Sequence, residues 1–316
     1  MLAILLVLAV AALAFTNGAN ANFKGVATLY ATGVLTRTQA GWLGTLATFA
    51  GSLSAVFLSA GLLQAFSGRG LVPPAATTSL SFLCSVALGA ALTSFLATRF
   101  GYPVSTTHAL VGALIGAGAI RGEVVALQPL LTVFVLPLLL SPVVAALLSM
   151  ILLGLTQWWW KRHPATGRTA RLAHIGFAGL ASFARGLNDT PKMASLLLLV
   201  FQDNTMGAIG FVAGFIALGG WLDMRNVAET LGKRLTTLTA SEGILASFGT
   251  ATLVICASLL SWPVSTTHVS VGSMLGLGVW NRGAIWKKIG EVVVAWITTV
   301  PIAAIFSAIF RLMIPM

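Results

Sequence analysis

The chain has 316 residues, of which 57% are hydrophobic and only 8% are charged, and its mean hydropathy is +0.96. A soluble domain usually carries about 25% charged residues, so this composition excludes a water-soluble protein and predicts one embedded in membrane lipid. The net charge of +11 does not indicate a nucleic-acid partner, because the basic residues lie mainly between apolar segments.

The first predicted element, residues 1–15, resembles the apolar core of a signal peptide. No positive charge precedes it, and it runs directly into a polar motif that recurs later, so we interpret it as a retained first membrane helix. The hydropathy pattern predicts ten apolar segments, each roughly long enough to cross or deeply enter a bilayer. In chain order they are residues 2–35, 41–63, 80–97, 109–120, 127–155, 175–201, 208–222, 244–260, 269–279 and 292–310.

Two sequence patterns occur twice. The hexapeptide Pro-Val-Ser-Thr-Thr-His stands at residues 103–108 and 263–268, each time before a Gly-rich apolar stretch. The pattern Gly-x-Asn-x-x-x-Lys begins at Gly18 and again at Gly186, where we expect the first and sixth segments to be broken, at residues 17–22 and 185–192. The chain therefore divides into a first repeat (residues 1–155), a basic cytoplasmic linker (156–174) and a second repeat (175–316).

The predicted fold class is an all-α integral membrane protein with two inverted-topology repeats. Each repeat has about five segments, and because five is odd the second repeat enters the membrane in the opposite orientation, so that equivalent loops meet near the midplane. A cytoplasmic linker places most Lys and Arg residues inside, which predicts a multi-pass protein of the cell membrane with both termini outside. The short segments at 109–120 and 269–279 are either full crossings or arms of re-entrant hairpins.

Each hexapeptide predicts a helix start that binds an oxyanion. Proline is tolerated at a helix start and disfavours helix in the residue before it, and the following Ser or Thr supplies an N-cap hydroxyl. Free backbone N–H groups, hydroxyls and the positive end of the helix dipole together form an anion site, and neutral donors suit a carrier that must release its ion. The alternative interpretation is ordinary helix capping with nothing bound. The predicted substrate-binding residues are Ser105, Thr106, Thr107, Ser265, Thr266, Thr267, Asn20 and Asn188.

The interrupted segments predict an ion-coupling site, because ionisable residues inside a membrane are costly and usually functional. Asn20, Asn188 and Asp189 offer oxygen ligands suited to a sodium ion, which is the one cofactor-like ion that we expect. Lys24 and Lys192 place a fixed positive charge in each segment. The alternative is that Asp189 and Lys192 simply pair, while Lys24 extends to the membrane interface.

His108 and His268 close the two hexapeptides at matching positions. They either carry protons, since histidine titrates near neutral pH, or donate one structural hydrogen bond each. The chain has no pair of acids, no His-x-x-x-His metal motif and no nucleophile beside a base, so an enzyme is not predicted.

In combination, Gly-Ala-Asn near the N-terminus, Gly-Leu-Asn-Asp in the second half and the paired hexapeptides resemble the inorganic phosphate transporter (PiT) family. The resemblance covers nearly the whole chain, and it implies a duplicated helical carrier that moves phosphate into the cell with sodium or protons. It also implies that Asn20, Asn188, Asp189 and the two Ser-Thr-Thr runs surround the substrate and coupling ions, and that the protein forms oligomers, often dimers, in lipid.

Two departures from this family pattern bear on coupling. Ala21 stands where the family typically has aspartate, and Lys24 and Lys192 stand where many members have asparagine. We hypothesise that a lysine ammonium replaces a bound sodium ion at one or both sites, with coupling to protons through Asp189, the lysines or the histidines. Sulfate or another tetrahedral oxyanion is the alternative substrate, and an anion channel or a non-transporting anion sensor is the alternative class.

Overall fold

The computed structural model describes residues 1–68, 71–123, 125–162, 167–202, 204–233 and 237–315, and regular structure within those ranges is entirely helical. Among these residues the first half contains nine α-helices and the second half six. Those of the first half are α1 (Leu2–Ala21), α2 (Ala27–Ala31), α3 (Arg37–Leu58), α4 (Ala60–Phe66), α5 (Pro74–Thr77), α6 (Leu80–Arg99), α7 (Thr106–Ala119), α8 (Leu127–Pro129) and α9 (Leu136–Arg162). Those of the second half are α10 (Gly167–Ala194), α11 (Thr205–Leu222), α12 (Arg225–Lys233), α13 (Ala240–Leu259), α14 (Thr266–Trp280) and α15 (Trp286–Met313).

Every predicted apolar segment overlaps one of the longer helices. Seven stretches of the described chain are long and apolar enough to cross a membrane, among them the 36-residue stretch Leu127–Arg162, in which α8 and α9 are joined by a π-helical turn. Helix α10 is also of spanning length but carries Arg185, Asp189 and Lys192 in its C-terminal part. Helices α9 and α10 extend into the predicted linker, of which residues 163–166 lie outside the described part.

The helix breaks lie later in the chain than predicted, the first by a few residues and the second beyond the predicted range. Helix α1 continues through Asn17 and Asn20 to Ala21, and the break follows as a 3₁₀ turn at Asn22–Lys24. Helix α10 likewise continues through the whole of 185–192, and its 3₁₀ turn lies at Ser195–Leu197. The polar side chains remain on helical backbone because groups from other helices satisfy them, so the backbone need not unwind there.

Helices α6 and α7 form a hairpin, and so do α13 and α14. At the open end of the first hairpin, Arg311 of α15 donates to Ser81 Oγ (2.5 Å) and pairs with Glu123 (3.3 Å), so α7 ends beside the start of α6. At the open end of the second hairpin, Asn281 donates to the carboxylate of Glu242. Each hexapeptide lies in the return segment of its hairpin, just after the bend.

The open ends of the two hairpins lie beside opposite ends of the stretch that runs from α1 to α2. Cys84 of α6 lies beside the carbonyl of Leu2, where α1 begins, whereas Ser247 of α13 hydrogen bonds to Thr28 of α2 (2.7 Å). The hairpins therefore approach the break between α1 and α2 from opposite directions, and their return segments meet there.

Close helix contacts hold the return arms in place. A Cβ atom on Gly112 of α7 would lie 2.3 Å from the carbonyl oxygen of Val300 in α15, and one on Gly272 of α14 would lie 2.4 Å from that of Pro142 in α9. Only glycine permits this approach, which is the usual role of small residues between membrane helices.

Candidate functional site

The two hexapeptides contact each other reciprocally in the buried interior of the protein. Thr267 Oγ1 donates to the carbonyl oxygen of Val104 (2.8 Å), and Thr107 Oγ1 donates to that of Val264 (3.4 Å). Residues separated by 157 and 163 positions are therefore hydrogen bonded, which brings both predicted Ser-Thr-Thr runs into one buried cluster.

The serines of the hexapeptides cap helices. Ser105 Oγ accepts a hydrogen bond from the backbone N–H of His108 (3.3 Å), and Ser265 Oγ accepts one from that of His268 (3.2 Å). Ordinary capping, the alternative interpretation of the whole motif, thus describes the two serines. The threonines at the first positions of α7 and α14 make different contacts.

Lys24 lies inside the cluster, and its ammonium is buried among protein oxygens. Its Nζ donates to Asn20 Oδ1 (3.0 Å), to the carbonyl oxygen of Val104 (2.7 Å) and to Thr267 Oγ1 (2.6 Å). Only 2% of the residue is exposed. An ammonium has three donors and no acceptor, so these three oxygens satisfy it fully in its charged form.

Lys192 has an equivalent set of partners in the other half. Its Nζ donates to Asn188 Oδ1 (2.5 Å), to the carbonyl oxygen of Val264 (2.8 Å) and to Thr107 Oγ1 (2.9 Å). It differs from Lys24 in a fourth partner, Asp189 Oδ1, at 3.1 Å. We call the oxygens around Lys24 Nζ the first cage and those around Lys192 Nζ the second cage.

Neighbouring groups orient the two asparagines. Asn20 Nδ2 donates to Thr98 Oγ1 (3.0 Å) and to the carbonyl oxygen of Tyr102 (2.9 Å), so that its Oδ1 faces Lys24. Asn188 Nδ2 donates to Ser258 Oγ (3.0 Å), which leaves its Oδ1 facing Lys192. Both amide oxygens are thus positioned as cation ligands.

Asp189 contacts three groups of the cluster. Its Oδ2 accepts from Thr266 Oγ1 (3.1 Å) and lies 3.6 Å from Arg185 Nε, while its Oδ1 pairs with Lys192. In the first half the position of the aspartate is taken by Ala21, and Asn17 contacts the hexapeptide instead: Asn17 Nδ2 donates to Thr106 Oγ1 (2.6 Å). The threonine that begins each return helix therefore has a different kind of partner.

Arg185 is a member of the cluster that the sequence analysis did not single out. Its guanidinium donates to the side-chain oxygens of Asn17 and Asn22 and reaches the carbonyl oxygen of Asn17 (3.3 Å), so it ties α10 to the end of α1. The repeat itself contained a signal for this pair, because an offset of 168 aligns Arg185 with Asn17, each immediately before the glycine of the Gly-x-Asn pattern.

The two histidines lie side by side. The ring centroids of His108 and His268 are 4.7 Å apart, and the ring of His268 also stacks on Trp296 at 3.9 Å. His268 Nδ1 is 2.9 Å from the carbonyl oxygen of Leu138, which is the structural hydrogen bond of the second alternative. Within the described residues, His108 Nδ1 and His268 Nε2 are buried without a hydrogen-bond partner.

The charges of the cluster do not balance. Lys24, Arg185, Lys192 and Asp189 are all at most 3% exposed, and three basic side chains with one acid give these four residues a formal net charge of +2. Burying charge away from water is expensive unless an opposite charge compensates it. The cluster is therefore an environment that favours a bound anion.

A small cavity approaches the cluster from one side. It has a volume of about 100 Å³ and is lined by the bend of the first hairpin, by Thr230 of α12 and by the start of α15. Tyr102, whose carbonyl oxygen accepts from Asn20, belongs to this lining, together with the ion pair between Lys288 and Glu291 (2.6 Å).

Comparison with known proteins connects this site to a family. The chain is 29% identical to the "Probable low-affinity inorganic phosphate transporter" of Rhizobium meliloti (strain 1021), over 93% of this chain and 91% of the relative. It is 27% identical to the protein of the same description from Bacillus subtilis (strain 168), over 98% and 96% of the two chains. A solved structure described as "The sodium-dependent phosphate transporter" superimposes with a TM-score of 0.87 at 24% identity, covering 99% of this chain and 98% of that one, which shows a common fold.

The protein is thus a multi-pass membrane protein, helical in its described part, whose relatives are transporters and not enzymes. The model of the Phosphate transporter family matches residues 17–307, which include both hexapeptides, both lysines and Arg185. This chain belongs to the phosphate transporter family.

Proposed function

We propose that this protein is a secondary active transporter that carries inorganic phosphate across the cell membrane by alternating access, coupled to a cation. The observation that carries the proposal is the meeting of the two hexapeptides in a buried cluster of net charge +2. Phosphate near neutral pH carries between one and two negative charges, which matches this excess.

In the proposed binding step, the threonine hydroxyls exchange protein partners for phosphate oxygens. Thr107 and Thr267 now donate to backbone carbonyls of the opposite hexapeptide, and Thr266 donates to Asp189. Each of these hydroxyls can donate the same proton to an oxygen of a bound anion instead. The first N–H groups of α7 and α14 are further donors, because they have no acceptor within their own helices. Neutral donors exchange readily, so the bound anion can leave on the other side.

Alternating access follows from the way in which the hairpins meet. The reciprocal hydrogen bonds between the hexapeptides join the two halves, and we call this contact the seam. Each hairpin is held at its own open end by the contacts of Arg311 or Glu242. We propose that the halves are inverted repeats and that separating the seam from one side or the other exposes the site alternately. In this arrangement both termini lie outside the cell.

The test is phosphate uptake into proteoliposomes that contain the purified protein, with sodium and proton gradients imposed separately. Saturable uptake that is accelerated by unlabelled phosphate on the opposite side supports a carrier, because a channel shows no such exchange. Competition by sulfate, arsenate and molybdate identifies the preferred oxyanion. Phosphate binding without any movement of label would contradict the proposal and would instead indicate a sensor.

A further inference from the structure

We propose that Lys24 and Lys192 are tethered cations that permanently fill two alkali-cation sites, so that phosphate transport by this protein does not require sodium. This inference rests on the proposed function, and it removes sodium as the coupling cation and leaves the proton in that role. It is carried by the geometry of the two cages.

The first cage has the ligand chemistry of an alkali-metal site. It offers one amide oxygen (Asn20), one backbone carbonyl oxygen (Val104) and one hydroxyl oxygen (Thr267) within 3.0 Å of a single point. Hard cations prefer such oxygen ligands, and in transporters unwound backbone supplies the carbonyl groups. Val104 lies on non-helical backbone just before α7, as this chemistry requires.

The second cage repeats this chemistry and adds a carboxylate. Asn188, Val264 and Thr107 correspond one for one to the ligands of the first cage, and Asp189 is the additional ligand. A cage built twice from the same three kinds of oxygen, each time around an ammonium, is not explained by one accidental ion pair. The ammonium is the common occupant.

A purely structural role explains Lys24 poorly. None of the hydrogen-bond partners that the structure gives for Lys24 is charged, although the residue is buried in the middle of the protein. A salt bridge would be the ordinary reason to bury a lysine, and here the compensating charge must come from elsewhere. The anion of the proposed function supplies it.

A cation that is attached to the chain differs from a free ion in how much of the time it occupies its site. A diffusible ion fills a site only when its concentration exceeds the dissociation constant, whereas a side chain attached beside the site is always present at high effective concentration. Each cage contains ligands from both halves of the chain, so a permanent cation in each cage keeps the anion site positively charged without sodium.

The experiment compares uptake of labelled phosphate in sodium and in choline media, with the same proton gradient in both. For the unmodified protein we expect rates that agree within about twofold, because both cages are already filled. Lys24→Asn removes the tethered charge and leaves an amide oxygen with room for an ion. Lys24→Met is the matched control, since it fills the same space with an apolar chain and offers no ligand for sodium.

We expect Lys24→Asn to transport at least about tenfold more slowly in choline and to recover most of its rate in sodium. Lys24→Met should remain slow in both media. Lys192→Asn and Lys192→Met form a second pair that tests the other cage independently, in case one variant does not fold.

A binding measurement gives a readout that does not depend on transport. Sodium should raise the thermal denaturation temperature of purified Lys24→Asn in a concentration-dependent way, because a ligand that binds only the folded state stabilises it. It should leave the unmodified protein and Lys24→Met unchanged relative to choline.

The possible failures are distinguishable. Strict sodium dependence of the unmodified protein would overturn the tethered-cation inference and leave phosphate transport intact. Folded Asn variants at both positions that respond to sodium neither in uptake nor in stability would also overturn it. Absence of phosphate movement in every medium would overturn the proposed function, while sodium stabilisation of Lys24→Asn would still support the cages.

Discussion

The two cages predict an unequal response to substitutions that look equivalent in the sequence. Thr107 and Thr267 occupy the same position of the two hexapeptides, and valine in either place keeps the shape and removes the hydroxyl. Lys24 has three donors and three acceptors, so Thr267→Val leaves one donor of a buried ammonium unsatisfied. Lys192 has four acceptors, so Thr107→Val still leaves it three.

The difference in stability follows from this count. An unsatisfied buried donor costs about 1–3 kcal/mol, and more when the group is charged, whereas losing one ordinary hydrogen bond costs about 0.5–1.5 kcal/mol. Thr267→Val should therefore be less stable than Thr107→Val by about 1–2 kcal/mol. Both variants lose one hydroxyl donor for the anion, so their Michaelis constants for phosphate should rise similarly, by about tenfold.

The assay is thermal denaturation of both variants in detergent, which compares their stability, together with phosphate uptake in proteoliposomes, which gives their Michaelis constants. Thr107→Ser and Thr267→Ser are the controls, since each keeps the hydroxyl, and both should resemble the unmodified protein. Equal denaturation temperatures for the two valine variants, or a lower one for Thr107→Val, would refute the count of acceptors on which the prediction depends.

Three further predictions concern charge and packing. Arg185→Gln removes one of the three basic side chains of the cluster and should raise the Michaelis constant for phosphate by at least about tenfold, measured as uptake against phosphate concentration. Ala21→Asp adds a buried carboxylate and should weaken phosphate uptake in choline medium by about tenfold for the same electrostatic reason. Gly112→Ala forces a Cβ to 2.3 Å from the carbonyl oxygen of Val300 and should lower the denaturation temperature, whereas Gly290→Ala, with nothing within 4 Å, should not.

Each of these has an outcome that speaks against it. An unchanged Michaelis constant in Arg185→Gln would mean that the guanidinium only ties α10 to α1. Faster choline uptake by Ala21→Asp would show that the missing carboxylate, and not the net positive charge, limits transport. Equal stability of the two alanine variants would mean that α7 and α15 separate easily.

Much of the site could be predicted because its chemistry is written in short linear patterns that occur twice. The identical hexapeptides pointed to Thr107 and Thr267, and the repeated Gly-x-Asn-x-x-x-Lys pattern pointed to the asparagines and lysines. The same spacing of four residues separates Asn20 from Lys24 and Asn188 from Lys192, and on helix α10 it places the second pair one turn apart. The structure brings all of these residues into one cluster.

The positions of the helix breaks and the role of Arg185 could not be predicted in the same way. Arg185 donates to Asn17 and Asn22, which are 168 and 163 positions away, and apart from the offset of the repeat no short linear pattern indicates these contacts. For the same reason a polar run inside an apolar segment resembled an unwound turn. Local composition does not reveal that distant side chains already satisfy Asn17 on helical backbone.

The remaining asymmetry of the two halves suggests how an anion opens the seam. Thr106 accepts a hydrogen bond from Asn17, so its own hydroxyl proton is not used in that contact, whereas Thr266 must donate to the carboxylate of Asp189. An incoming oxyanion therefore competes with Asp189 for Thr266 and for Lys192, but it need not displace Asn17 from Thr106. Both cages offer the same three kinds of oxygen. In the second half, however, the carboxylate of Asp189 already accepts hydrogen bonds from Thr266 and Lys192. Phosphate and Asp189 repel each other and compete for the same hydrogen-bond donors. Phosphate binding should therefore break the contacts of Asp189 in the second half before those of Asn17 in the first.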